Sequence, residues 1–214
     1  MEKIKTAYQY LLPQHGITRL VGKLAASKNT FIKRIFIHWF LKQYPINMAE
    51  AAIEDPDSFA TFNDFFTRQL KSGARPLTEG SDAIISPVDG KVSQAGKIID
   101  GDIFQAKGHR YSLKELIGNE AEFVEKYQDG EFATLYLAPK DYHRIHMPVD
   151  AKLTAMTYVP GRLFSVNPAT ARTIPRLFAR NERVIAHFNT PLGAMAMVLV
   201  GATIVGSIAT VWSG

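Results

Sequence analysis

The sequence predicts an α+β fold in which amphipathic N-terminal helices precede a β-rich, mostly antiparallel core. Apolar residues recur at helical spacing before residue 45, whereas short runs rich in β-branched and aromatic residues dominate later, as in 132–137 and 152–159. Turn signals such as Asp89-Gly90 and Pro160-Gly161 bound those runs.

The 214 residues suffice for one sizeable core, with or without an appended subdomain, and a composition 46% hydrophobic and 21% charged excludes a disordered chain. The net charge of +5 is unevenly spread. From Met1 to Tyr44 eight basic residues face one acid, Glu2, a local charge of +7, while the remaining 17 basic and 19 acidic residues leave the rest at −2. The basic end points to an anionic surface as partner. With no cysteine there is no disulfide framework, so a reducing compartment is allowed. No secretory signal is expected, because no unbroken apolar stretch leads to a small-residue cleavage site.

Residues 1–45 read as helices broken at Pro13 to Gly16. Over 31–44, Phe31, Ile32, Ile35, Phe36, Trp39 and Phe40 form one broad apolar face, with Arg34, His38 and Lys42 opposite. Such a helix suits a membrane surface, where apolar burial and attraction to anionic headgroups add. Docking on its own domain or on a dimer partner is the alternative. The division expected is a membrane-associating helical region, 1–45, and an α+β domain, 46–214. No nucleic-acid motif accompanies the basic residues.

Asp55 to Ser58 is a turn that starts a helix in which Phe59, Phe62, Phe66 and Leu70 share a face, Asp64 pairs with Arg68, and Gly73 to Pro76 forms the end. Residues 83–92 read as strand, turn and strand around Asp89-Gly90. In 102–129 short strands and helices alternate, with Ser112 an N-cap and Glu115 completing a capping box. Phe132 to Leu137 is a strand closed by Pro139, and Lys152 to Val159 another. The loop 162–168 has the mixed composition of a ligand-lining segment, with Arg172, Arg176, Arg180 and Arg183 on the solvated side of a following helix. Leu192 to Trp212 is uncharged and long enough to span a bilayer, yet Gly201, Gly206 and its alternation favour two buried strands.

Between Pro139 and Pro148 lie Asp141, Tyr142, His143, Arg144 and His146, a dense set of proton- and charge-bearing groups. The prolines leave too little room for a helix, so the two histidines need not face one way and can serve different tasks. A solvated loop with one packed imidazole is the simpler alternative. Asp89, taken alone, is a turn former.

The segments FNDFFTRQLKSGARPL, SPVDGKV, LAPKDYHRIHMPVD and GRLFSVNPAT with LFARNERV resemble phosphatidylserine decarboxylases of the bacterial membrane-bound kind, in order and over essentially the whole chain. The resemblance implies a proenzyme in which Asp89, His146 and a downstream serine act on the protein's own backbone as a serine-protease triad does. Asp89 would orient the imidazolium of His146, which takes the serine proton. Cleavage would turn that serine into a covalent pyruvoyl cofactor heading a small α chain. The pyruvoyl carbonyl engages the substrate amine and accepts the electrons released with carbon dioxide. His143 is implied as the group that returns a proton, and Ser165 and Phe164 as substrate contacts. The implied partners are the small chain, phosphatidylserine and an anionic membrane, in a dimer of heterodimers at the cytoplasmic face of the inner membrane, and no metal.

Two features depart from that pattern. The family's Leu-Gly-Ser-Thr or Leu-Gly-Ser-Ser signal is absent, and Ser213 is no convincing substitute, so the reactive serine is expected outside this sequence, which then corresponds to the larger (β) chain. Ala151 stands where a Gly is common after Val-Asp. A noncatalytic lipid-surface module, or a hydrolase using Asp89, His146 and an unseen serine, are the alternatives.

Overall fold

The computed structural model describes residues 6–78, 80 and 83–213. Helices Gln14–Ala25 (α1), Thr30–Gln43 (α2) and Phe62–Phe66 (α3) come first, followed by strands Lys91–Lys97 (β1), Asp102–Ala106 (β2) and His109–Ser112 (β3). Helices Leu113–Leu116 (α4) and Ala121–Tyr127 (α5) lead to strands Glu131–Tyr136 (β4) and Lys152–Val159 (β5). Helices Pro168–Thr173 (α6) and Leu177–Arg180 (α7) precede Arg183–Thr190 (β6) and Gly193–Val200 (β7). β2 pairs β3, and β6 lies between β5 and β7, all antiparallel, so the expected α+β class holds. The chain divides into two compact units: Met1–Arg19, Val92–Thr134 and Ala151–Gly214 form one, Leu20–Lys91 and Leu135–Asp150 the other. This division does not follow the 45/46 boundary.

In the first unit Ile103, Tyr111, Ile117, Phe164, Ile174 and Leu177 form the core, each such side chain contributing about 1.5–3 kcal/mol on burial. Most of its buried polar groups are bonded, the Nε2 of His187 excepted. The Gln105 amide donates to the Ala171 and Ile174 carbonyls and accepts from Leu177 N–H, fixing the α6–α7 corner on β2. That corner breaks the single basic helix expected, because Arg176 takes a left-handed φ of 55°. Nor is Arg183 solvated. It is buried, and its guanidinium donates to the carbonyls of Leu116, Ala179, Asn181 and Glu115. Ser112 caps α4 by accepting from Glu115 N–H, but the Glu115 carboxylate pairs with Arg176 and leaves the box half made.

Beyond β7 the second strand expected near Ile204 to Val211 does not form. Ala202 and Val205 exchange backbone hydrogen bonds in a tight reversal, with Ile204 at a φ of 61°. Among the described residues no helix is long and apolar enough to cross a membrane.

The second unit is built on aromatic residues. Asn29 caps α2 by accepting from the N–H groups of Phe31 and Ile32. The helix buries Ile37 and Phe40 against Phe59 and Phe65, while Phe31 stays 74% and Trp39 57% exposed. The broad apolar face expected is thus split, and Ile37, which that face omitted, is its most buried member. The helix N-terminal to it continues through Gly16, so the break lies before Gln14. α3 is also shorter than expected. Thr61 caps it, and it ends after five residues as Arg68 N–H bonds Phe65 O, because Leu70 bridges Ala51 in extended conformation. Asp64 accordingly accepts from the Thr61 hydroxyl. Residues 83–86 form no strand; Ile85 N–H donates to Pro148 O alone.

Candidate active site

The second unit gathers Asp89, His143 and His146. Gly90 has a φ of 129°, and a Cβ there would run into the Tyr136 carbonyl oxygen, so only glycine lets the Pro87–Gly90 turn lie against the end of β4. From that strand end the chain turns at Ala138–Asp141, where Asp141 N–H donates to Ala138 O and the Asp141 carboxylate accepts from Ala138 N–H. Asp141 is therefore a turn former. Farther on, His146 N–H donates to Pro87 O at 2.8 Å, zipping the histidine segment to the acidic turn.

Tyr142, buried, holds the second candidate triad member. Its hydroxyl and His146 Nε2 share a hydrogen bond of 3.0 Å, with the two rings stacked at 5.6 Å. The Asp89 carboxylate is held bidentate by Arg75, whose Nε and second guanidine nitrogen donate at 2.8 and 2.6 Å. These bonds keep its pKa below the ordinary carboxylate range. The remaining Arg75 nitrogen donates to Glu50 at 2.8 Å. Asp89 and His146 are thus brought into one hydrogen-bonded segment, but through different partners.

His143 is set apart from His146. Its Nδ1–H donates to the Asp141 carbonyl at 2.7 Å, and its ring packs on Phe66 with centroids 3.9 Å apart. Burial pushes its pKa below the usual imidazole value, so near neutrality it is neutral, with the lone pair on Nε2. The two rings thus lie in different surroundings, His143 on Phe66 and His146 on Tyr142.

Ser165 and Phe164 lie in the first unit. The Phe164 side chain is 0% exposed, edge-on to Tyr10 and covered by the guanidinium groups of Arg162 and Arg180. Asn181 exchanges hydrogen bonds with both backbone groups of Phe164, and Gln9 accepts from Ser165 N–H. The half-buried Ser165 hydroxyl accepts from Asn167 Nδ2. Phe164 anchors the loop from inside and presents no surface to a ligand, which corrects its expected place as a substrate contact.

The sequence marks Phe66 as an apolar-face residue and Tyr142 as one polar group of the loop, without signalling their contacts with the two histidines. Arg75 was legible only as part of a helix end, and nothing local in Gly73 to Pro76 signals a carboxylate 14 residues away.

The family of phosphatidylserine decarboxylases matches residues 62–213, and a second family described as PSD matches residues 4–45. The whole chain is 60% identical to a phosphatidylserine decarboxylase proenzyme of Shewanella amazonensis and 61% identical to that of Shewanella sediminis, covering 75% of each. It is 59% identical to the corresponding proenzyme of Vibrio parahaemolyticus, again over 75% of that protein.

Proposed function

The chain belongs to the phosphatidylserine decarboxylase family, and from that premise we propose how its residues divide the making of the enzyme from its running. The reaction is that of a carboxy-lyase, removing carbon dioxide from the serine headgroup to leave phosphatidylethanolamine. The observation that carries the division is the placement of two imidazoles on one short segment, one touching a hydroxyl and the other uncommitted at Nε2.

Maturation falls to Asp89 and His146. The Nε2 edge of His146 holds the Tyr142 hydroxyl at 3.0 Å, so it accommodates the hydroxyl a reactive serine must present there. Asp89, kept ionised by Arg75, supplies the negative charge that favours the imidazolium formed when His146 takes that proton. The serine lies on the small partner segment outside this sequence. A pyruvoyl group, when present, would supply the electron-accepting carbonyl for loss of carbon dioxide. The imidazolium form of His143, protonated from solvent at Nε2, would return that proton to the substrate carbon and revert to the neutral ring, with Nδ1–H held on Asp141 so that the ring cannot turn away.

Intact mass and N-terminal sequencing of the full-length product test this reading, together with conversion of phosphatidylserine. A blocked small chain and release of phosphatidylethanolamine are expected. An uncut protein, or one that turns over esters through a free serine, refutes it.

Membrane association is assigned to α2, where Phe31, Ile35 and Trp39 are exposed beside Arg34. The enzyme then sits peripherally on the anionic cytoplasmic face of the inner membrane, as a dimer of heterodimers. Replacing Phe31 and Trp39 by Ser is expected to lower cosedimentation with anionic liposomes; undiminished cosedimentation removes α2 from that role.

A further inference from the structure

Arg68 follows α3 and is only 5% exposed, yet its Nε, shielded from solvent, has no hydrogen-bond partner among the described residues. Its guanidinium lies over the Phe65 ring at 5.6 Å, while the neighbouring Phe66 carries His143. Its charge acts on Asp89, Tyr142 and His143 alike, so it belongs to the same cluster as the proton-handling groups. Among the described residues the acids acting on it are Asp89 and Glu50, and both are engaged at hydrogen-bonding distance by Arg75. A desolvated guanidinium with no contact carboxylate among those residues is costly, and an incoming anion would offset that cost.

We propose that Arg68 is an anion-binding residue that takes the phosphodiester of the lipid substrate, a reading that rests on the decarboxylase assignment. The substrate offers two anions, and the chemistry chooses between them. The carboxylate loses its charge as it departs as neutral carbon dioxide, so a guanidinium clamped on it stabilises the ground state more than the transition state and slows the reaction. The phosphodiester keeps its charge throughout, so binding it fixes the headgroup near His143 without raising that barrier. The planar fork suits two phosphate oxygens, and the aromatic ring behind it limits its swing.

Calorimetry on the processed enzyme decides, using glycerophosphoserine, glycerophosphoethanolamine and free serine as probes. Both phosphodiesters are expected to bind, with Arg68→Gln weakening both by roughly tenfold to a hundredfold. Arg68→Lys is expected to fall between, since it keeps the charge and loses the fork. Where Arg68→Gln does not fold, the Lys variant carries the test by the same drop for both phosphodiesters. Weakening confined to glycerophosphoserine assigns Arg68 to the carboxylate and overturns the proposal. So does unchanged affinity in the variants, or a wild-type enzyme that binds neither phosphodiester. Phosphodiester binding lost in Arg68→Gln, from an enzyme that releases no phosphatidylethanolamine, upholds the site and instead sinks the decarboxylase reading.

Discussion

The loops 138–148 and 162–168 are both irregular and rich in polar side chains, yet they spend their hydrogen-bonding capacity differently. Around Phe164 and Ser165 the polar groups of Asn181, Gln9 and Gln14 are buried and turned onto backbone N–H and C=O groups. In the histidine loop Asp141 closes the turn, but His143 keeps Nε2 uncommitted and His146 meets only a hydroxyl that another hydroxyl can replace. What separates the two loops is the capacity left over after folding, not the number of polar residues in each.

The sharpest way to break this contrast is within the histidine loop itself. In the full-length proenzyme, His146→Ala is expected to slow self-cleavage by about a thousandfold or more, leaving an uncut precursor by intact mass. His143→Ala is expected to permit processing and to lower turnover by roughly a hundredfold or more. If both variants mature and turn over normally, the two rings do not hold separate tasks.

In the other loop the expected loss is of stability. Asn181→Ala removes bonds to Phe164 N–H, Phe164 O and Gly201 O in a fully buried setting. A cost of about 3 kcal/mol is expected, read as an earlier thermal midpoint, because each orphaned buried group costs about 1–3 kcal/mol. Activity per folded molecule should change little. A variant with an unaltered midpoint and lost turnover would place Asn181 in the chemistry and dissolve the distinction between the loops.

What was legible in the sequence was whatever neighbouring residues decide. The α2 periodicity, the β5 alternation ending at Pro160-Gly161, the Asp89-Gly90 turn and the Ser112 cap are all written within a few positions. The α3 helix was overrun because Leu70 has helical spacing from Phe66, while pairing with the distant Ala51 draws it into extended backbone. Ile37 was passed over because a stripe of Phe and Trp outweighed it, although only packing against Phe59 and Phe65 determines which side of α2 is inside. In the site, the histidine segment and the acidic turn stood out by residue type. The groups that hold them, Arg75 on Asp89 and the Tyr142 hydroxyl on His146, did not, since an arginine's bidentate partner carries no local signature.

The smallest effect expected is also the most diagnostic for His143, because it moves two observables in opposite directions. Burial lowers the His143 pKa, so its imidazolium is scarce near neutrality, and a step that needs this acid slows as pH rises through the folded value, below about 6.5. Stability runs the other way. The unfolded chain binds the proton more readily, so the contribution of neutral His143 is present above about pH 6.5 and is lost as pH falls through the folded value. His187, also depressed by burial, adds its own loss of stability in acid. Phe66→Ala opens the His143 ring to water and leaves His187 alone. Its limb in the pH–turnover profile should move upward toward 6.5, and the acid loss of stability should shrink by His143's share only. A profile that stays in place while the protein weakens uniformly would mean that Phe66 merely packs and that the proton comes from elsewhere.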